Sequence, residues 1–331
     1  MSQTNINLIP SISVVMSVYR EPMDWLEQSI DSILHQSFSD FEFIIVIDDP
    51  QNQDAINYVQ KKADEDNRII ILKNEENLGL TKSLNRGLKV SKGKYIARMD
   101  ADDVSYLDRF KKQYSFMEAN PNVILLGTGV RYIDEKGKPI KVIIYQSDND
   151  KAKSRMLFNS GFSHPSIVIR RSTLVENDIW YDEDYRQTQD YRLYETLYDL
   201  GDFANLPEIL VDYRISKTQI STQLYHRQGN NMQKIRRRII NKWLNHIGYH
   251  DINFDQDIKR MEIRSDILKL LDNKKDCYFN TFMKTMYFTN TKNKLVLFLM
   301  SILNGDFFQL SNKDKKSLMG IVINIVSPIT L

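Results

Sequence analysis

GKYIARMDADD, residues 93–103, reads as a buried strand that runs straight into three carboxylates, Asp100, Asp102 and Asp103. Like charges this close disfavour one another's ionisation, and each gains from an opposite charge nearby. A hard divalent cation carrying phosphate oxygens meets that need, because Mg²⁺ is usually bound by one or two carboxylates plus substrate phosphates. The competing reading is a solvated acidic turn leading into a helix that begins near Tyr106. Spacing alone does not separate the two.

Upstream of that strand, strand and helix alternate. Residues 11–18 (SISVVMSV), 41–47 (FEFIIVI) and 68–72 (RIIIL) are apolar runs of strand length, rich in β-branched side chains. Between them, residues 25–35 place Leu26, Ile30, Ile33 and Leu34 on one helical face, and a second helix is expected over 55–63. Residues 80–90 repeat Leu80, Leu84 and Leu88 at helical spacing. Such alternation predicts a parallel sheet with right-handed crossovers and helices on both faces. Ligands of these sheets bind beyond the carboxyl ends of the strands. Asp48–Asp49 and the 100–103 cluster both lie at such ends, so two strands deliver carboxylates to one rim. Further on, strands are expected over 122–133, 141–145, 163–169 and 210–215, with a helix over 191–200.

The bulk numbers narrow the class. A chain of 331 residues with 42% hydrophobic and 27% charged side chains is long enough for one large α/β domain and a smaller appendage. A net charge of +2 gives no global electrostatic case for nucleic acid. The single cysteine, Cys277, excludes an internal disulfide and fits a reducing compartment. The first twenty residues lack a basic n-region, and no stretch reaches the roughly 18 apolar residues of a membrane span. The expected location is cytoplasmic.

Four landmarks, SVVMSVYRE, SILHQSFSDFEFIIVIDD, NLGLTKSLNRGL and GKYIARMDADD, occur in an order that resembles the inverting family 2 glycosyltransferases. Weaker landmarks continue through SHPSIVI and TQDYRLYETL to YRISKTQIS, so the resemblance covers about two-thirds of the chain. It implies an α/β GT-A fold, a Rossmann-like nucleotide-binding mixed sheet flanked by helices, over residues 1–220. The nucleotide-sugar half is about 11–103 and the acceptor half about 104–220. Residues 221–331 are then a helical, basic and amphipathic C-terminal extension.

The resemblance also implies roles. Ser17, Tyr19 and Glu21 follow the first strand and face the nucleotide-sugar. Asp49 accepts a hydrogen bond from a uracil ring, as an acceptor-only carboxylate can, while Asp48 braces the turn. The alternative for this pair is an ordinary Asp-Asp-Pro turn. Lys82 approaches the diphosphate or stands as a solvated helix lysine, and Asn77 shapes the turn before Gly79. Asp102 coordinates the metal, Mn²⁺ or Mg²⁺. Asp100 joins the ribose or metal shell, with Ala101 between them in the donor site, and Asp103 supports the loop or approaches the donor sugar. Asp190 is the general base, against the alternative of a helix N-cap. His164 and Arg214 are weaker candidates for the acceptor or a phosphate. Many relatives carry a histidine about where Ser216 stands.

The expected reaction moves one hexose from a UDP-sugar to a saccharide acceptor, by resemblance a lipid-diphosphate-linked sugar in O-antigen or capsule synthesis. No QxxRW segment is present, which favours single transfer. A sugar nucleotidyltransferase on a related fold is disfavoured because the loop SVYREPMD has no glycine. A non-catalytic membrane-surface scaffold is the third option. Residues 234–247 (KIRRRIINKWLNHI), 295–303 and 318–326 pair apolar runs with nearby basic residues. They suit helices lying on an anionic membrane surface or a helical subdomain packed on the core.

Overall fold

The computed structural model describes residues 9–216, apart from 146 and 157–159, and scattered positions between 231 and 242. The chain divides into two compact units, Met1–Arg236 and Arg237–Leu331. The expected boundary near 220 and most of the C-terminal extension lie outside the described residues.

β1 (Ile12–Val18) and β2 (Phe41–Ile47) are buried at every position. That is why they read as continuous apolar runs: helices cover both faces of a central parallel strand. β3 (Ile69–Lys73) lies at the sheet margin and is half-exposed. β4 (Tyr95–Arg98) completes a parallel order β3-β2-β1-β4. The intervening helices are α1 (Met23–Leu34), α2 (Gln53–Glu65) and α3 (Leu80–Val90). Gly87 lets α3 lie hard on the sheet, since a Cβ there would come within 2.6 Å of Val15 Cγ1.

After β4 the sheet changes direction. The chain continues through β5 (Val104–Ser105), α4 (Arg109–Ala119), β6 (Val123–Ile133), β7 (Pro139–Ile143) and α5 (Asn149–Arg155). It then forms β8 (Val168–Arg170), α6 (Arg171–Glu176), α7 (Gln189–Leu197) and β9 (Asp202–Arg214). β8 runs antiparallel to both β4 and β6, and β9 runs parallel to β6. Among the described residues this gives a nine-stranded mixed sheet in the order β3-β2-β1-β4-β8-β6-β9-β5, with β7 on β6. Mixed sheet and flanking helices make the GT-A arrangement that the resemblance implied. The all-parallel pattern of the first hundred residues holds only as far as β4.

Two expected strands differ. Residues 163–169 open instead with a 3₁₀ turn at His164–Ser166. Pro165 has no N–H for a ladder, and the Ser166 N–H and Oγ both bond the Ser163 carbonyl at 2.9 Å. The strand expected over 210–215 begins at Asp202 and runs across Pro207. Its register with β6 shifts at Gly129, where a Cβ would lie 3.1 Å from the Pro207 carbonyl oxygen, so glycine and irregularity accommodate the proline.

Candidate active site

The carboxylate loop is built from three directions. β4 delivers it, and the Asp103 N–H closes a turn on the Asp100 carbonyl at 3.4 Å. α1 braces it: Ser29 Oγ donates to the Asp100 carbonyl at 2.8 Å, and Ser32 Oγ accepts from the Ser105 N–H at 3.0 Å. Gln36, just past the helix, donates to the Tyr106 carbonyl at 2.7 Å and accepts from the Phe110 N–H at 3.1 Å. From β9, the Arg214 N–H donates to Asp103 Oδ1 at 2.7 Å and its Nε to the Asp102 carbonyl at 2.8 Å. The Arg214 guanidinium also lies 5.0 Å from the Trp25 ring and bonds Gln28 at 3.0 Å. Only 1% exposed, Arg214 thus holds the loop to the end of β9.

In that loop, oxygens of Asp100, Asp102 and Asp103 lie within 4.8 Å of one another. Asp103 is fully buried and its Oδ2 has no partner, while Asp100 and Asp102 are partly exposed. Burial pushes the Asp102 carboxyl up to about 7, with Asp100 and Glu21 adding to the rise. Burial likewise raises Asp103, reinforced by Asp102 and Asp100. Glu21 belongs to the same cluster: burial raises it, and its carboxylate accepts the Tyr19 N–H at 2.8 Å. Arg98, 2% exposed, pairs with Asp100 and is the buried cation beneath this acidic group. An all-oxygen set of this kind suits Mg²⁺ or Mn²⁺, and Asp100 and Asp102 are the residues that would hold it.

The paired aspartates after β2 divide their work. Asp48 is buried and accepts from Asn74 Nδ2 at 2.6 Å, Ser83 Oγ at 2.9 Å, the Leu78 N–H at 2.9 Å and the Gly79 N–H at 3.0 Å. It therefore organises the loop that enters α3, where Gly79 takes a positive φ of 82°. Asn77 helps from within, accepting the Gly79 N–H at 3.0 Å. Asp49 faces the other way and accepts Arg20 Nε at 2.6 Å and the Gln51 N–H at 2.9 Å. The Arg20 hydrogen bond holds its carboxyl below the ordinary range. Tyr19 is exposed with Arg20 against its ring, Ser17 is buried at the end of β1, and Ala101 is buried in the carboxylate loop. Lys82 is exposed, 3.9 Å from Glu183. Asn85, on the same helix, exchanges hydrogen bonds of 2.9 Å with both the N–H and carbonyl of Tyr181.

Asp190 sits at the second residue of α7, after an N-cap filled by Thr188. It is not the cap itself. Burial pushes its carboxyl up to about 6, against hydrogen bonds from the N–H groups of Tyr191 and Asp190 that favour the anion. Its acidic neighbours are occupied or outside: Asp182 accepts Arg192 Nε at 3.2 Å, Glu183 faces Lys82, and Asp184 is exposed. Asp190 has no ion pair among the described residues, yet it feels both Asp100 and Arg98. His164 Nε2 meets the Tyr181 hydroxyl at 2.7 Å, and burial with nearby Arg98 keeps the ring neutral. Tyr194, one turn along α7 from Asp190, buries a hydroxyl without a hydrogen-bond partner.

Residues 13–177 match the model of glycosyl transferase family 2. A glycosyltransferase of Methanocaldococcus jannaschii is 37% identical over 208 residues, covering 62% of this chain and 71% of its own. The chain is a family 2 glycosyltransferase. The O-antigen biosynthesis glycosyltransferase WbnJ of Escherichia coli is 33% identical, over 67% of this chain and 87% of its own. Staphylococcus aureus TarS 1-349, solved in complex with UDP-GlcNAc, superposes with a TM-score of 0.60 at 14% identity. That alignment covers 89% of this chain and 92% of TarS 1-349, and at this identity it speaks for the fold.

In this glycosyltransferase, sequence reading did not single out Arg98, Tyr181 or the serine–glutamine stripe on α1. The stripe had a signal: Ser29, Ser32 and Gln36 recur at helical spacing, and Ser29 and Gln36 are buried. Arg98 stands in an apolar strand, where a charge is unexpected without a partner.

Proposed function

We propose that the enzyme moves one hexose from a UDP-sugar to an acceptor hydroxyl, with inversion at the anomeric carbon. The observation that carries this reading is Asp190, a half-buried carboxylate with no ion pair among the described residues, within electrostatic reach of the Asp100 loop and raised to about 6. A general base works best with a pKa near the working pH. The acceptor oxygen attacks the anomeric carbon, and its proton passes to the Asp190 carboxylate. The bond from that carbon to the diphosphate oxygen breaks, and UDP departs with the electron pair. Bound Mn²⁺ or Mg²⁺ would supply positive charge against the departing diphosphate.

Asp49, Ser17, Tyr19 and Glu21 serve the nucleotide-sugar. Its use of Asp49 requires the exposed Arg20 to yield or share that carboxylate. The likeness to an O-antigen biosynthesis glycosyltransferase supports a surface polysaccharide as the product, and on this proposal the acceptor is a lipid-linked sugar. Among the described residues no helix is long and apolar enough to cross a membrane.

The test is a panel of UDP-sugars with and without Mn²⁺, read by thermal shift and UDP release. One UDP-sugar should raise the melting temperature in a metal-dependent way, because ligand that binds only the native state stabilises it. Stabilisation only by sugars of another nucleotide would overturn the uracil role of Asp49.

A further inference from the structure

β9, β6 and β7 lie side by side, and a row of three side chains crosses them. The register sets Tyr132 opposite Tyr213 on one side and opposite Lys141 on the other. The two rings are 5.1 Å apart and inclined by 33°, and Lys141 Nζ lies 4.6 Å from the Tyr132 centroid. Strand alternation puts the next residues, Arg131 and Asp212, on the opposite face, where they form a 2.6 Å ion pair. Both tyrosines are half-buried and Lys141 is exposed, so the row is reachable from solvent.

One end of the row adjoins the reaction centre. Tyr213 precedes Arg214, whose N–H donates to Asp103 Oδ1 at 2.7 Å, and it lies within electrostatic reach of Asp103, Asp100 and Asp102. Tyr132 hydrogen-bonds Tyr145, which in turn bonds Ser163, the residue before the 3₁₀ turn that carries His164. Tyr145 and Asp190 are both within electrostatic reach of Tyr194. A wall of tyrosines therefore leads from the carboxylate loop towards the Asp190 helix. None of these rings was singled out in the nucleotide-sugar landmarks.

We propose that Tyr132 and Tyr213 are the platform on which the acceptor's pyranose ring stacks, with Lys141 taking an anionic group that the acceptor carries beyond that ring. This rests on the glycosyl-transfer reading above and names the acceptor's subsite. A pyranose presents C–H groups of slightly positive potential, which suit the negative faces of phenol rings. The lysine already leans on Tyr132, an arrangement that holds the cation at the end of the row. An ammonium there acts as a point charge, available to a phosphate or a carboxylate.

The experiment uses the full-length chain and two acceptor probes, octyl N-acetylglucosaminide and N-acetylglucosamine diphosphoryl-undecyl. Binding is read by saturation-transfer NMR, and donor binding by thermal shift with the UDP-sugar selected above. Tyr132→Ala and Tyr213→Ala should weaken both acceptors about tenfold and leave donor binding unchanged. Tyr213→Phe should retain acceptor binding. If alanine unfolds the protein, Tyr213→Leu keeps the bulk and removes only the ring. Lys141→Gln should weaken the diphosphate acceptor alone, by about threefold at low salt, with the difference lost at high salt.

Unchanged acceptor affinity in the tyrosine variants would overturn the platform. So would a parallel loss of donor binding, or a wild-type protein that contacts neither acceptor while still binding donor. Equal weakening of both acceptors by Lys141→Gln would overturn the anionic-group assignment. A wild-type protein that binds no UDP-sugar would instead strike the underlying transfer reading.

Discussion

Asp190 and Arg98 show how one side chain's surroundings decide its chemistry. Asp190 lies among several acidic residues, and what distinguishes it is partial burial with strong desolvation and, among the described residues, the lack of a cationic partner. Asp190→Asn should lower kcat by about 10²–10⁴-fold while leaving the donor-induced thermal shift intact. A variant that kept its rate would remove Asp190 from the mechanism. As the proposed general base, Asp190 would act in its ionised form, and its carboxyl is raised to about 6. Activity should therefore rise about tenfold per pH unit below that value and level off above it, and Asp190→Glu should displace the inflection. Arg98 is buried and paired with Asp100. Arg98→Met removes one partner of a pair whose other member is partly exposed, so a destabilisation of about 2 kcal/mol is expected by urea denaturation. Donor affinity should fall in parallel as Asp100 loses its orientation.

At the scale of elements, each loop of the site is held by a hydrogen-bonding residue at a strand or helix end. Asp48 gathers two side-chain donors and two backbone N–H groups, so it shapes the entry to α3. Asp48→Ala strands those buried donors and should cost about 3 kcal/mol of stability. Asp49→Ala, which loses an exposed arginine, should cost well under half of that while weakening donor binding. Equal stability losses in the two variants would contradict this division. α1 serves the carboxylate loop in the same way through Ser29 and Ser32, with Gln36 just past its end.

At the scale of the molecule, the sheet brings together two carboxylate centres that are about ninety residues apart in the chain. The loop after β4 supplies Asp100 and Asp102, and α7 supplies Asp190. Glu21, Asp100, Asp102 and Asp103 crowd one another beside the buried Arg98 and Arg214, and burial with this crowding raises Glu21, Asp102 and Asp103, a strain that a divalent cation would relieve. Removing divalent ions with EDTA should lower UDP-sugar affinity by at least about tenfold, because the ligand brings its own negative diphosphate to those carboxylates. Mn²⁺ or Mg²⁺ should restore it in the wild type but not in Asp102→Asn. Affinity unaffected by EDTA would argue that the carboxylates are not a metal site.

Local pattern carried the first half of the fold. Continuous apolar runs of strand length, separated by helical periodicity, mark β1 to β4; the signal is cleanest in β1 and β2, which are buried at every position and leave no polar face to blur it. The carboxylates at the ends of β2 and β4 were legible for the same reason: charge directly after an apolar strand is conspicuous. The later strands were harder to read. His164–Ser166 is a turn because Pro165 cannot join a ladder, and β9 is hidden by Pro207, which the sheet admits only through an irregularity beside Gly129. What each site residue does was decided by tertiary structure. Asp48 and Asp49 are identical neighbours in sequence, yet one is tied to the chain entering α3 and the other to Arg20. Arg214 is committed to Asp102, Asp103 and Trp25 by strand pairing across more than a hundred residues. The sequence by itself determined which groups are present and where the first strands end. Only folding decided which of them stay unpaired and desolvated, because burial and partners come from segments far away in the chain.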